Sequence, residues 1–88
     1  MAFVYMVECA DGTYYTGWAV DLDARLAAHN AGTGARYTRG RRPVRLVYWE
    51  RVPDAASALR REAALKRMSR AQKRRLAAAH AAHEEVRT

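Results

Sequence analysis

Two apolar runs, residues 3–9 (FVYMVEC) and 13–18 (TYYTGW), are separated by Ala10-Asp11-Gly12 alone. So short a link forces the runs to lie antiparallel, because parallel strands need a crossover of a dozen or more residues. Asp-Gly supplies the turn, and the β-branched and aromatic residues on either side favour extended chain. The nearly continuous apolarity of the first run marks a buried strand.

The rest of the chain follows from local signals. Asp21 is an N-cap for a helix over residues 22–30 (LDARLAAHN), closed by Asn30 and Gly32. Residues 30–43 (NAGTGARYTRGRRP) read as a loop rich in Gly and Arg. Residues 44–52 (VRLVYWERV) read as a third strand, stopped by Pro53. Asp54 caps a helix over residues 55–68, and Ser69-Arg70-Ala71-Gln72 is a capping box opening a last, Ala-rich one. The order β-β-α-β-α-α predicts an α+β fold, a small three-stranded antiparallel sheet flanked by helices. At 88 residues the chain, 1–88, is expected to form one domain.

Charge is distributed unevenly. Residues 1–35 hold four acids against Arg25 alone, whereas residues 36–75 hold twelve Arg and two Lys against three acids. The net charge is +7. Clustered arginine points to a polyanion, because neutralising phosphates releases counterions. Tyr37, Tyr48 and Trp49 interleave with Arg36, Arg39, Arg41 and Arg42, a pattern suited to stacking bases and holding phosphates. Lys66, Arg67 and Lys73 extend that surface along the later helices. The competing reading is that these are solvated helix faces and that Tyr48 or Trp49 packs in the third strand. No apolar run reaches membrane-spanning length and no secretory signal opens the chain. Its single Cys9 suits a reducing cytosol, so a cytoplasmic location is expected.

Several side chains carry potential chemistry. Ala55, Ala58, Leu59 and Leu65 share a helix face, and Glu62 lies in that stripe. A carboxylate there needs a cation, either Arg25, Arg61 or Lys66 as an ion pair, or a divalent metal. Arg60 and Arg61 are expected to cover the outer surface. Arg25 and His29 stand one helical turn apart. They can clamp phosphate and move a proton, or they can cover core aliphatics and compensate the helix dipole. Tyr5 and Tyr15 fall on paired strands, where phenols either stabilise a sheet or serve as a base. Cys9 is a core residue or a nucleophile paired with His29. His80 and His83 have no carboxylate or cysteine at ligand spacing.

Val4-Tyr5, then Tyr15-Thr16-Gly17, Arg25, His29-Asn30 and a later helical Glu62 form an ordered set that resembles the GIY-YIG nuclease family, above all its short single-domain bacterial members. The resemblance covers about residues 3–75. It departs from the family pattern in Phe3 and Val4 for Gly-Ile, in Trp18 where many members have lysine, and in having no Asn after Glu62. The resemblance implies a metal-dependent endonuclease hydrolysing phosphodiester bonds in DNA, with structured or repair-intermediate DNA as a candidate substrate and RNA left open. It implies Mg²⁺ or Mn²⁺ held by Glu62, and Arg25 stabilising charge on the scissile phosphate. Tyr5 and Tyr15 would flank the attacking water, and His29 would bind phosphate or transfer a proton. A non-catalytic nucleic-acid-binding module and an adaptor for an acidic protein are the alternatives. A protein partner or homo-oligomer is left open.

Overall fold

The computed structural model describes the backbone of residues 1–87 and the side chains of residues 1–83. Strand β1 (Ala2–Glu8) is central, with β2 (Tyr14–Ala19) and β3 (Arg45–Val52) antiparallel on its two sides. Helix α1 (Leu22–Ala31) follows the hairpin, a short α2 (Arg36–Arg39) precedes β3, and α3 (Ala55–Lys66) and α4 (Arg70–Arg87) complete the order. The expected α+β, β-β-α-β-α-α arrangement is therefore present, with α2 added.

The central position of β1 explains its nearly unbroken apolarity, since side chains on both of its faces must be covered. On one face Tyr5, Val7, Cys9, Ala19 and Val44 are buried beneath Leu22 and Leu26 of α1, with Leu46 and Trp49 beside them. On the other, Ala2, Val4, Ala58 and Leu65 form a second cluster with Trp18, Tyr48, Met68 and Leu76. Tyr48 and Trp49 thus pack on opposite faces of β3, and both contact the ring of His80 edge-on.

The local signals appear as hydrogen bonds. The hairpin closes through Cys9 N to Thr13 O at 2.8 Å and Gly12 N to Cys9 O at 2.9 Å, with Gly12 at φ 83°. That left-handed conformation is why glycine stands there. Asp21 accepts from Ala24 N, and Asp54 from Ser57 N. Gln72 N donates to Ser69 Oγ at 3.1 Å while Ser69 N donates to Gln72 Oε1 at 2.8 Å, the reciprocal pair of a capping box.

Four details differ from the sequence reading. The Gly- and Arg-rich loop contains α2, whose four residues are too few to show a helical period. β3 begins at Arg45 rather than at Val44, because the Asn30 amide takes both the N–H (2.7 Å) and the C=O (3.1 Å) of Val44. On α3 the buried residues are Ala58 and Leu65, while Ala55 is exposed and Leu59 is 53% exposed. Leu59 lies about 100° around the helix from Ala58, beyond the sheet-facing stripe. Arg61 does not cover the outer surface; its Nε donates to Glu50 on β3 at 2.7 Å.

Candidate active site

The site begins at Tyr5, in the middle of the central strand and only 2% exposed. Its partner across the hairpin is Gly17. A β-carbon at Gly17 would stand 2.7 Å from the Tyr5 hydroxyl, so this glycine makes the space the phenol occupies. From there the Tyr5 hydroxyl reaches α1, where it lies 2.6 Å from Nε2 of His29.

His29 is 1% exposed and bonded on both sides. Its Nδ1 lies 2.8 Å from Oγ1 of Thr38, which α2 delivers. The Thr38 hydroxyl also bonds the Ala35 carbonyl at 3.0 Å, and a carbonyl only accepts. Thr38 therefore spends its single proton on Ala35 and accepts from Nδ1–H, leaving Nε2 to accept from Tyr5. A longer contact of 3.4 Å from Ala35 N to Nδ1 favours the opposite tautomer; the two shorter bonds outweigh it. Gly34 permits the packing, since a β-carbon there would stand 2.4 Å from Nδ1. Burial, and then the Arg25 guanidinium, hold the imidazole below its ordinary pKa, so it is neutral at pH 7. A surface role compensating the helix dipole is excluded by this burial. Cys9, buried in the core with its thiol pushed up by burial, is not the partner of His29; both ring nitrogens are already taken by Tyr5 and Thr38.

Tyr15 stands beside this chain of contacts, its ring edge-on to His29 at 5.3 Å between centroids and stacked on Tyr37 at 5.9 Å. Burial raises the Tyr15 phenol, the Glu62 charge raises it further, and Arg25 opposes both. For Tyr5 burial is again the main cause of a large upward shift, with Tyr15 adding, Arg25 opposing and Glu62 adding less. The fields of Arg25 and Glu62 therefore meet at the two phenols, although one residue comes from α1 and the other from α3. Arg25 is exposed and makes no ion pair among the described residues. The side chain of Glu62 is 18% exposed, and Lys66 Nζ approaches it at 3.8 Å. Of the ion-pair partners expected for Glu62, the structure brings Lys66 within reach and commits Arg61 to Glu50.

The donor set at Glu62 suits a hard cation. Its carboxylate has one loosely placed ammonium beside it, and its charge is felt at the phenols of Tyr15 and Tyr5. Among the described residues no three His, Cys, Asp or Glu gather into a closed cage. A single carboxylate completed by water and substrate oxygens is the usual Mg²⁺ arrangement, and an all-oxygen donor set suits Mg²⁺ or Mn²⁺ over softer metals.

The basic residues divide into two groups. Arg41 is tied into the fold: its Nε bonds Asp11 at 3.0 Å, its Nη1 bonds the Tyr37 carbonyl, and its guanidinium lies 4.0 Å from the Tyr37 ring centroid. Arg42 braces the carbonyls of Arg39 and Asn30. Arg36, Arg39, Lys66 and Arg67 are exposed, and Lys73 is half-buried. The sequence did not single out Thr38, Gly34 or Gly17's fit to the Tyr5 hydroxyl as positioning features. Only Gly17 carried a signal, as the glycine of the second triplet.

A family model described as the GIY-YIG catalytic domain matches residues 1–75. A UPF0213 protein of Halobacterium salinarum is 54% identical over 76 residues, covering 86% of this chain and 99% of that one. A UPF0213 protein of Syntrophus aciditrophicus is 52% identical over 75 residues, covering 84% and 86%. Among solved structures, the solution NMR structure of a UPF0213 protein from Bacillus halodurans is similar with a TM-score of 0.56 at 44% identity, over 89% of this chain and 84% of that one. A second, from E. faecalis, gives a TM-score of 0.55 at 38% identity over 81% and 76%.

Proposed function

This chain belongs to the GIY-YIG catalytic-domain family, and on that premise we propose that it is a metal-dependent endonuclease hydrolysing phosphodiester bonds in DNA. The observation that carries the proposal is the buried chain Tyr5–His29–Thr38 with Tyr15 edge-on to His29, and the charges of Arg25 and Glu62 both act on its two phenols. Phosphodiester hydrolysis needs a base for water, positive charge for the phosphoryl oxygens, and exclusion of bulk solvent around both.

Glu62 would hold Mg²⁺ or Mn²⁺, and the chemistry such an ion supplies when bound is neutralisation of charge at a phosphoryl oxygen. Tyr5 takes a proton from the attacking water as its own phenolic proton passes to His29 Nε2. The transfer never requires a free tyrosinate, which burial disfavours strongly at this position. Thr38 keeps the imidazole in the accepting tautomer. Tyr15 closes the other side of the water, and the exposed Arg25 guanidinium clamps the scissile phosphate through two N–H donors.

A second reading, a nucleic-acid-binding module without catalysis, is favoured by Trp18. This residue packs into the second core cluster at the position where many members carry lysine. Labelled duplex, single-strand, flap and four-way-junction DNA, and RNA, incubated with Mg²⁺, Mn²⁺ or EDTA, separate the two. Metal-dependent cleavage that disappears in Glu62→Gln supports the nuclease. Salt-sensitive binding with no cleavage of any substrate overturns it in favour of the binding module.

A further inference from the structure

Thr16 is 3% exposed, and its hydroxyl has no hydrogen-bond partner among the described residues. Buried hydroxyls are rarely left so, because the unmade bond costs the full desolvation of the group. Thr16 follows Tyr15 on β2, so its side chain points to the opposite face of the sheet. Because β2 is an edge strand, the shallow cleft of about 220 Å³ that Thr16 lines with Tyr14, Tyr15, Tyr37, Lys66 and Lys73 reaches around the sheet edge to both faces. Four elements meet here: β2 supplies Tyr14, Tyr15 and Thr16, α2 Tyr37, α3 Lys66 and α4 Lys73.

The lining has one chemical character. It holds two ammonium groups, a buried hydroxyl and three phenols, and no carboxylate. Lys73 makes no ion pair among the described residues, and Lys66 has only the 3.8 Å approach to Glu62. Donors and positive charge without a counter-charge select an oxyanion. Tyr15 belongs both to this cleft and to the wall facing His29, so an anion held here is next to the one the proposed site would cut.

We propose that this cleft is a second phosphate subsite, which holds a non-scissile phosphate of the nucleic-acid strand and so sets its register at the cutting site. The proposal rests on the nucleic-acid reading above. Lys73 supplies charge, the Thr16 hydroxyl, buried just beneath the floor, turns to donate to the anion, and Lys66 is shared between this phosphate and Glu62. An ion at Glu62 would displace the like-charged Lys66 ammonium toward the cleft.

The test is equilibrium binding in EDTA, so that it reads contact without cleavage. Labelled single strands carrying one neutral methylphosphonate at each linkage in turn are titrated against the wild-type protein, Lys73→Gln and Thr16→Val. Thermal melts verify that both variants fold. Lys73→Gln is expected to weaken binding of the unmodified strand about three- to tenfold at 0.1 M salt and to lower the salt slope by about one. One methylphosphonate position should weaken the wild type by a similar factor and leave Lys73→Gln unchanged, with Thr16→Val intermediate. A parallel arm adds a 5′-phosphate to the strand. Tightening of the wild type alone would assign the subsite to a terminal monoester, whereas an effect confined to an internal linkage would assign it to the diester backbone. Either result supports the subsite. If both variants bind with unchanged affinity and salt slope, or if every neutral linkage costs Lys73→Gln what it costs the wild type, the subsite is overturned. A protein that cuts DNA but gives that second result loses the subsite and keeps the nuclease; one that passes here but never cuts loses the nuclease alone.

Discussion

The Tyr5 hydroxyl lies 2.6 Å from Nε2 of His29 across 24 residues of sequence, and both side chains are almost fully buried. Everything else proposed for the site depends on that contact. Gly17 leaves room for the hydroxyl, Gly34 leaves room for the ring, and Thr38 turns the imidazole so that the facing nitrogen accepts.

Gly17→Ala tests the space around the phenol. Its new methyl would stand 2.7 Å from Tyr5 Oη and 2.9 Å from Cζ, so Tyr5 must shift and its bond to His29 is disturbed. Overpacking of this kind costs about 1–3 kcal/mol. Urea denaturation should show that loss, and the double variant with Tyr5→Phe should recover part of it. Full stability in Gly17→Ala would mean that the fit is loose.

Thr38→Val tests the tautomer. The swap keeps the shape but leaves Nδ1–H without its acceptor in a buried place, a cost of about 1–3 kcal/mol. Nitrogen NMR shifts of His29 should move from the Nδ1–H form toward a mixture, and cleavage should fall with them. Loss of stability with an unchanged tautomer would reduce Thr38 to a packing residue.

His29 should make stability depend on pH. Its folded pKa is held below the ordinary 6.5 by burial and by Arg25, so the unfolded chain binds the proton more readily. The stabilisation is therefore complete above pH 6.5 and is lost as pH falls through the lowered folded value. Denaturation midpoints between pH 8 and pH 5 measure this, with His29→Gln as the control whose profile should be flatter over the same interval. Equal slopes in the two proteins would contradict the assignment.

Glu62→Gln should separate charge from structure. Its ion pair with Lys66, at 3.8 Å and partly solvated, is of the kind that contributes about 0–1 kcal/mol, so folding should barely change. Removing the carboxylate charge should lower the Tyr15 phenol pKa, because Glu62 is the second cause of its rise after burial. Ultraviolet titration of the tyrosines reads that shift directly, and Mn²⁺ binding should be lost in the same variant. A Tyr15 titration identical to the wild type would place Glu62 too far away to serve this site.

Much of this was legible in the residues, and what was not has identifiable causes. The hairpin, the Asp21 and Asp54 caps and the Ser69–Gln72 box depend on neighbours within a few positions, so local chemistry determines them. Glu62 stood out as a carboxylate on an apolar stripe, whereas spacing left Tyr5, Tyr15 and His29 with two readings each and only the ordered set resembling the family chose between them. Thr38 gave no signal, since its role exists only once α2 folds back over α1. Leu59 misled for the opposite reason: its spacing admits two faces, and only contact with β1 and β2 selects between them. Asn30 suited a helix end, yet its amide holds Val44, a long-range bond that no local pattern announces.

The position of β1 between two partners has a consequence for motion. Amides of a strand paired on both sides exchange with solvent only when the whole sheet opens, whereas a four-residue helix such as α2 opens by itself. Tyr5 is therefore expected among the slowest-exchanging amides of the molecule, and the backbone of α2 is expected to exchange faster. The hydrogen-bonded chain from phenol to imidazole to hydroxyl joins the two regimes, so an opening of α2 would release the imidazole tautomer while leaving the phenol in place.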